Sequence, residues 1–402
     1  MAGKALSREE AAARAGITIE RLDELLALGL IKPGSNDGFT VFDVRRIRIV
    51  ESLIEAALPL DALAEGFRRG LLTLDFIEGP EYGRFPQLSR ETFGAVSERT
   101  GIPFALLAVI RETGGFTAPA IDDLVREDEL RVVPFVELQV RLGFDPVAIE
   151  RLLRAQADSL RRIAEAEAEW WRSQVSSPRL AAGKSGIEVA AVDVSAALND
   201  ASQEALLAIW NAQQAKTWTA NIIIGFEYVL QREGLYHPQD RPPAICFLDV
   251  TGYTRLTQEH GDHAAADLAE SLARLVQRAS AEHAGRAVKW LGDGVMFYFR
   301  DPGHGVLAAL QMVDGVVGAG LPPAHVGLHA GPVVMQEGDY FGQTVNVAAR
   351  IADYARPGEV LVSGAVFEAA QKTEGVRFTD IGAVELKGVS GTVQLHAAHG
   401  AG

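Results

Sequence analysis

The sequence predicts an α+β protein whose N-terminal half is all helical. Two observations carry this. Up to about residue 235 the apolar residues recur at helical spacing, punctuated by capping and turn signals. From Ala244 the periodicity changes, and short apolar runs alternate with amphipathic helices.

The chain has 402 residues, enough for two or three domains. Its hydrophobic content of 48% and charged content of 23% fit an ordinary globular protein. The net charge is −15 and no large basic region stands out, so composition gives no support for nonspecific nucleic-acid binding. A single cysteine, Cys246, excludes an intrachain disulfide and fits a reducing, cytoplasmic compartment. It stands in an apolar run and reads as core. Neither a signal peptide nor an apolar run of about 18 residues is present, so no membrane span is expected.

The first helix opens on the capping-box pattern Ser7-Arg8-Glu9-Glu10. Gly16-Ile17-Thr18 is a turn, Glu20 to Leu28 a second helix, and Gly29 to Pro33 its end. Asn36 to Val41 reads as a short wing or hairpin. A helix over Asp43 to Ala57 follows, and Pro59-Leu60-Asp61 starts another. With Ala-Gly-Ile-Thr, Leu-Gly-Leu-Ile and Gly-Phe-Thr before Asp43-Val44-Arg45-Arg46-Ile47, residues 1–75 resemble the winged helix-turn-helix of the MerR family.

Residues 76–175 read as a second helical module. Leu88-Ser89-Arg90-Glu91 echoes Leu6-Ser7-Arg8-Glu9, Gly101-Ile102 echoes Gly16-Ile17, and Gly143-Phe144-Asp145-Pro146 echoes Leu58-Pro59-Leu60-Asp61. The module is either a degenerate copy of the first or a chance likeness between helical segments. Asp145-Pro146 is an N-cap with Pro at the first helical position, opening a helix to about Val175. Residues 176–187 read as a linker. Residues 188–235 form a connecting or dimerisation region, with a helix from about Asp200 to Arg232, and Tyr236 to Pro243 is a second linker.

The last region, 241–396, begins with a strand over Ala244 to Val250, apolar throughout as in a strand buried on both faces. A helix over Ala264 to Ala284 follows. Arg286 to Leu291 and Val295 to Arg300 form a hairpin around Gly292-Asp293-Gly294. A helix over Gly305 to Val317, a long strand over His325 to Gln336, a helix over Thr344 to Tyr354 and a strand over Val360 to Ser363 complete a ferredoxin-like βαββαβ plan.

This region carries the candidate chemistry. Asp249 ends the first strand and Asp293 sits at the hairpin tip. Each alone is an ordinary turn former. Two carboxylates at strand ends can also bind hard cations such as Mg²⁺ or Mn²⁺. Gly252-Tyr253-Thr254 begins a helix, whose backbone N–H groups can hold phosphate. Asn346 and Arg350 lie four apart on a helix, so an amide and a guanidinium share one face, a suitable clamp for a polyphosphate in a transition state.

Phe247-Leu248-Asp249-Val250-Thr251-Gly252-Tyr253-Thr254, Lys289-Trp290-Leu291-Gly292-Asp293-Gly294, and Asp339 to Arg350 together resemble the catalytic domain of class III nucleotidyl cyclases, over roughly 240–395. The resemblance implies two divalent cations per site, Mg²⁺ or Mn²⁺, on Asp249 and Asp293. It makes Lys289 and Asp339 the base-selecting pair. Lys can donate to adenine N1 and Asp can accept from the exocyclic amine, so ATP is the expected substrate. Guanylyl cyclases of the class carry Glu and Cys there. Asn346 and Arg350 become the transition-state pair. Lys387 either reaches the triphosphate or is a solvated strand lysine. Tyr253 stands where the family has Phe. The resemblance further implies a head-to-tail homodimer, with Asp249 and Asp293 serving one site and Lys289, Asp339, Asn346 and Arg350 serving it from the partner. The reaction would be adenylate cyclisation to 3′,5′-cyclic AMP and pyrophosphate.

DNA binding by the MerR-like module is disfavoured. Thr18 to Leu26, where a recognition helix should lie, holds Arg21 against Glu20, Asp23 and Glu24, and residues 1–75 carry 10 basic and 12 acidic side chains. A regulatory and dimer-organising role is expected instead. The order of helical half then cyclase resembles soluble mycobacterial-type enzymes whose N-terminal half responds to pH or lipid. All nine histidines lie at or after His237, which excludes a histidine switch confined to the N-terminal half. A small molecule, a lipid or pH sensed elsewhere remain as inputs. The rival reading is a DNA-binding transcription regulator with a cyclase-like nucleotide-sensing domain.

Overall fold

The computed structural model describes residues 5–33, 38–78, 87–184, 195–235, 242–291, 294–336 and 338–401, with only the backbone described for Phe76, 195–196 and 253–267. The chain divides into two compact units, Met1–Ala220 and Asn221–Gly402.

In the first unit, α1 (Arg8–Ala15) starts because Ser7 and Glu10 cap each other. The Ser7 hydroxyl accepts from the Glu10 N–H, and the Glu10 carboxylate accepts from the Ser7 N–H, both at 3.1 Å. It stops at Gly16, whose φ of 79° is left-handed. Thr18 caps α2 (Ile19–Ala27). Of the expected wing, Asn36 and Asp37 lie outside the described residues. Among the described residues Phe39 bridges back to Leu6. Thr40 and Asp43 form a second capping box at α3 (Val41–Glu55), and α4 (Leu60–Arg68) follows Pro59. Leu22, Leu25, Ile31, Ile47, Val50 and Ile77 make the core.

The same order then repeats. Strand β1 (Leu88–Thr92), α5 (Phe93–Thr100) and α6 (Phe104–Thr113) are followed by β2 (Leu124–Arg126), α7 (Glu127–Arg141) and α8 (Pro146–Trp171). β1 pairs with β2 as Leu6 pairs with Phe39. Caps and core match position by position. Thr92 caps like Ser7, Gly101 ends its helix left-handed like Gly16, Arg126 with Glu129 repeats Thr40 with Asp43, and Gly143 takes the left-handed turn of Ala57. Leu107, Val133, Val136 and Ile149 occupy the places of Leu22, Ile47, Val50 and Leu63 in a separate core. The second module thus repeats the first in structure. The echo of Ser7 by Ser89 is out of register, however: Ser89 lies within β1, and capping falls to Thr92.

The predicted linker at 176–187 is helical at its start. A π-helical turn over Arg172–Ser176 leads into α9 (Ser177–Ala181), with Pro178 in its first turn where no N–H is needed. Residues 185–187, like 188–194 of the connecting region and 236–241 of the second linker, lie outside the described residues. Helix α10 (Ser195–Arg232) leaves large apolar side chains exposed, with Trp218 63% and Phe226 68% exposed.

The second unit is built on a seven-stranded sheet. β3 (Ala244–Val250), α11 (Tyr253–Glu282), β4 (Arg286–Leu291), β5 (Gly294–Phe299), α12 (Pro302–Gly318) and β6 (Ala324–Ala330) form the predicted βαββαβ core, with strands in the order β6-β3-β5-β4. β9 (Val360–Ser363) adds parallel to β6. The hairpin of β10 (Val376–Glu385) and β11 (Thr392–Gly400) extends that edge. The predicted strand over His325 to Gln336 is broken at Gly331-Pro332. The Thr344 hydroxyl donates to the Pro332 carbonyl at 2.7 Å, and a Cβ on Gly331 would lie 2.6 Å from Thr344 Oγ1. Beyond the break, β7 (Val334–Gln336) pairs with β8 (Asp339–Phe341) instead.

β3 is apolar throughout because both its faces are covered. Ala244, Cys246, Leu248 and Val250 pack with Val276, Val306 and Met312 of α11 and α12. Ile245 and Phe247 pack on the opposite face with Ala348 of α13 (Gln343–Tyr354). Burial pushes the Cys246 thiol pKa far up, so it is an inert core residue. Short helix α14 (Gly364–Ala370) completes the unit. α13 lies so close to β6 that a Cβ on Gly327 would stand 2.1 Å from the Ala352 backbone nitrogen. Among the described residues no helix is long and apolar enough to cross a membrane.

Two expectations follow. Gly327→Ala must push α13 off the sheet, because the obstacle is backbone. It should cost about 3 kcal/mol or more, the upper end for overpacking, read as a lowered denaturant midpoint. His329, on β6 with its Nδ1 2.8 Å from Ser363 Oγ, has its pKa lowered by burial. The folded ring stays neutral while the unfolded chain takes up a proton near pH 6.5. Stability should therefore be full above about pH 6.5 and fall as pH drops through the interval down to the folded value. Denaturation of the wild type and His329→Gln at pH 7.5 and 5.5 checks this; the variant should lose less on acidification.

Candidate active site

The register of the sheet sets up the first part of the site. Asp249, next to last in β3, is paired with Gly294 on β5 and with His325 on β6. Its two carboxylate oxygens face different neighbours. Oδ2 lies 3.6 Å from His325 Nε2, whereas Oδ1 faces Gly294, where a Cβ would come within 3.2 Å. The other ring nitrogen, His325 Nδ1, is 3.2 Å from Thr251 Oγ1. The Asp249 side chain is 45% exposed, so a solvated ion can reach it. An all-oxygen carboxylate beside a glycine fits a hard divalent cation. Among the described residues no group of three His, Cys, Asp or Glu side chains could hold a metal. Asp249 thus needs donors from elsewhere, and Asp293, the predicted second carboxylate, lies outside the described residues. Gly252, left-handed at φ 79°, is the N-cap of α11, and Tyr253 and Thr254 are its first two residues. The opening N–H groups of a helix have no intrahelical acceptor and are free for phosphate. The side chains of Tyr253 and Thr254 lie outside the described set.

The structure brings Lys289 and Asp339, fifty residues apart, into one ion pair. Lys289 Nζ is 2.6 Å from Asp339 Oδ2, and Asp339 Oδ1 accepts from the Tyr340 N–H at 2.7 Å. Both side chains are about a third exposed, so the pair is worth at most about 1 kcal/mol and opens at little cost. Lys289 registers with Met296, and Met296 with Phe247, which places Lys289 on the same sheet face as Asp249, two strands over.

Sequence reasoning missed Tyr340, which holds this corner together. Its ring stacks on Tyr298 at 4.6 Å with planes 4° apart, and its hydroxyl accepts from Arg286 Nη2 at 3.0 Å. Burial pushes both phenol pKa values up. The available signal was the alternation of Asp339, Tyr340 and Phe341, with the middle residue turned inward.

Asn346 and Arg350 stand one turn apart on the exposed side of α13, opposite buried Val347, Ala348 and Ile351. Arg350 Nη1 pairs with Asp353 at 2.6 Å. Lys387 is exposed in the turn after β10. Its neighbour Leu386 is buried in the small core that includes Val347 and Ile351, which ties that turn to α13.

The family model for the adenylate and guanylate cyclase catalytic domain matches residues 235–400. A pH-sensitive adenylate cyclase of Mycobacterium tuberculosis is 33% identical over 162 residues, covering 39% of this chain and 41% of that protein. An adenylate cyclase of Streptomyces griseus is 33% identical over 164 residues, covering 40% of this chain and 39% of the relative. The matched part thus spans about two fifths of the length of these relatives. The crystal structure of an adenylyl cyclase from P. aeruginosa matches with a TM-score of 0.35 at 22% identity, over 41% of this chain and 96% of that one. The family model and the two sequence relatives lead to one conclusion: residues 235–400 are a catalytic domain of the class III adenylate and guanylate cyclase family.

Proposed function

We propose that this chain is an adenylate cyclase that converts ATP to 3′,5′-cyclic AMP and pyrophosphate. The observation that carries the reading is the Lys289–Asp339 pair, 2.6 Å apart and openable. Adenine presents an acceptor at N1 beside a donor at its exocyclic amine. A Lys donor beside an Asp acceptor is the matching pattern, and guanine presents the opposite one. The adenylate cyclases among the relatives accord with this preference.

In this reading Asp249, with Asp293, holds two divalent cations, Mg²⁺ or Mn²⁺. Bound there, the cations would favour the ionised 3′-hydroxyl and offset phosphate charge. The N–H groups opening α11 after Gly252, at Tyr253 and Thr254, hold phosphate oxygens, and Lys387 supplies a cation toward the triphosphate. Asn346 orients the ribose so that its 3′-oxygen stands in line with the α-phosphorus. A bond forms between that oxygen and phosphorus, the bond to the β-phosphate oxygen breaks, and the hydroxyl proton leaves to solvent. Arg350 gives up Asp353 and donates to the equatorial oxygens as charge builds.

The complete site is assigned to a head-to-tail homodimer, with Asp249 and Asp293 from one subunit and Lys289, Asp339, Asn346 and Arg350 from the other. Exposed Val334, Met335 and Phe341 on the β7–β8 hairpin, and the uncovered apolar side chains of α10, support pairing of two copies. The N-terminal half, with its MerR-like first module, is assigned a regulatory role. Its acidic balance and the acids of α2 speak against a groove reader. Buried, unreactive Cys246 suits a cytoplasmic enzyme.

Purified full-length chain with ATP and Mn²⁺ should form cyclic AMP, and Asp249→Ala should form none. Absence of product from the wild type with either ATP or GTP sinks the proposal. Arg350→Ala should lower kcat by about 10²–10³ while KM changes little, because its contact is made in the transition state. Lys289→Glu combined with Asp339→Cys should shift kcat/KM from ATP toward GTP. An unchanged ATP preference in that double variant would remove the base-selecting role from the pair.

A further inference from the structure

We infer that Tyr340 is a positioning residue for base selection, anchored by Arg286 and Tyr298 so that Asp339 presents one fixed carboxylate oxygen to the 6-amino group of adenine. The inference rests on the proposed base-selecting role of Lys289 and Asp339 and concerns residues outside that pair. The three residues of β8 alternate. Asp339 and Phe341 turn toward Lys289, whose Nζ is 2.6 Å from Asp339 Oδ2 and 6.0 Å from the centre of the Phe341 ring. Tyr340 turns inward and is only 8% exposed. The two oxygens of Asp339 have different neighbours. Oδ1 accepts from the Tyr340 N–H at 2.7 Å, and Oδ2 faces Lys289. A carboxylate held through one oxygen by a backbone N–H is as steady as that backbone. Here the backbone is fixed by the side chain it carries. The Tyr340 ring stacks on Tyr298 at 4.6 Å with planes 4° apart, and its hydroxyl accepts from Arg286 Nη2 at 3.0 Å.

An irregularity in β4 makes this anchor possible. Arg286 and Lys289 are an odd number of residues apart, so plain alternation would send them to opposite faces of the sheet. The register shifts between them. Ala287 pairs with Phe297 and Lys289 with Met296, which leaves Val288 as an extra residue. Arg286, opposite Tyr298, and Lys289, opposite Met296, therefore share one face. Arg286 then meets the Tyr340 hydroxyl while Lys289 meets the Asp339 carboxylate, so both residues of β8 are tied to the same strand. When the base amine takes Oδ2 in place of Lys289, Oδ1 keeps its N–H and the carboxylate keeps its orientation. A site that accepts from a substrate amine discriminates against an analogue without one, provided the acceptor is held where the amine arrives.

The test is pyrophosphate release by the full-length chain from ATP and from purine riboside 5′-triphosphate, which keeps N1 but lacks the 6-amino group. The ratio of the two kcat/KM values reads the amine contact. It should be about tenfold or more in the wild type and fall to near one in Asp339→Ala. Tyr340→Phe keeps the stack and loses the hydroxyl bond. It should lower the ratio about fivefold, mainly through a raised KM for ATP, because the base is held alike in ground and transition states. Arg286→Met should match it, and the double variant should be no worse than either single one, since both remove the same bond. Tyr340→Leu, which also removes the stack, should bring the ratio close to the Asp339→Ala value. A merely structural role would lower both substrates together and leave the ratio unchanged. If Asp339→Ala collapses the ratio while Tyr340→Phe and Arg286→Met stay within about twofold of wild type, the positioning role is wrong and the base-selecting reading stands. A wild-type ratio near one, or one that Asp339→Ala leaves unchanged, removes the base-selecting role and the positioning role with it. Should Tyr340→Leu fail to fold, Tyr340→Phe and Arg286→Met decide, since Arg286 is exposed and its loss leaves the core intact.

Discussion

The catalytic domain depends on one close approach, the backbone of α13 lying against the backbone of β6 at Gly327. A side chain of any size there would drive the helix outward. With the helix seated, Val347, Ala348 and Ile351 are buried, and Asn346 and Arg350 necessarily face away from the sheet. The same seating puts Ala348 in one buried cluster with Ile245 and Tyr340. Packing thus aims the polar pair of α13 and steadies the β8 strand that carries Asp339. The candidate site sits at the rim of this seam, beside a backbone-to-backbone contact that no side chain enters.

The charged groups are arranged so that none is locked in place. Lys289 and Asp339 neutralise each other, and Arg350 is neutralised by Asp353. Such half-exposed pairs contribute little to stability. In the proposed reading they hold each side chain near its working place, so less rotamer freedom would be lost when a nucleotide replaced the partner. Asp249 has the His325 imidazole on one side and Gly294 on the other.

Much of this was legible in the sequence, for reasons that can be named. β3 was plain because burial on both faces leaves an unbroken apolar run. The first helix was plain because Ser7 announces itself three residues ahead of Glu10, whereas Thr40 of the Thr40–Asp43 box falls in the expected wing, and so α3 starts two residues earlier than expected. The β10–β11 hairpin was not foreseen. β10 is an edge strand, mostly exposed, with a register shift between Asp380 and Gly382, so no clean alternation survives. The break at Gly331-Pro332 was overridden by the apolar residues on either side, although the dipeptide itself marks a turn. In the second module, matching letters pointed to Ser89, whereas the structure repeats the function of a cap, which Thr92 performs. The individual roles of Lys289 and Asp339 came from resemblance, since no spacing rule predicts a contact across fifty residues.

Helix α10 poses a separate physical demand. Large side chains stand exposed on every side of it, among them Leu207, Trp210, Trp218, Ile222, Phe226 and Tyr228. A helix apolar on one stripe needs one neighbour, and a helix apolar all round needs several. A second copy supplies more than one helix at once, which is why the proposed homodimer suits α10 better than any single docking groove would. The division between the two units falls within this helix, at Ala220 and Asn221. Isolated helices in water owe little stability to themselves and gain most of it from packing. The order of the link joining the two units is therefore set by what covers α10. Under the proposed regulatory role, a signal that altered that cover would change the stiffness of the connection without needing a titrating histidine in the N-terminal half, which has none.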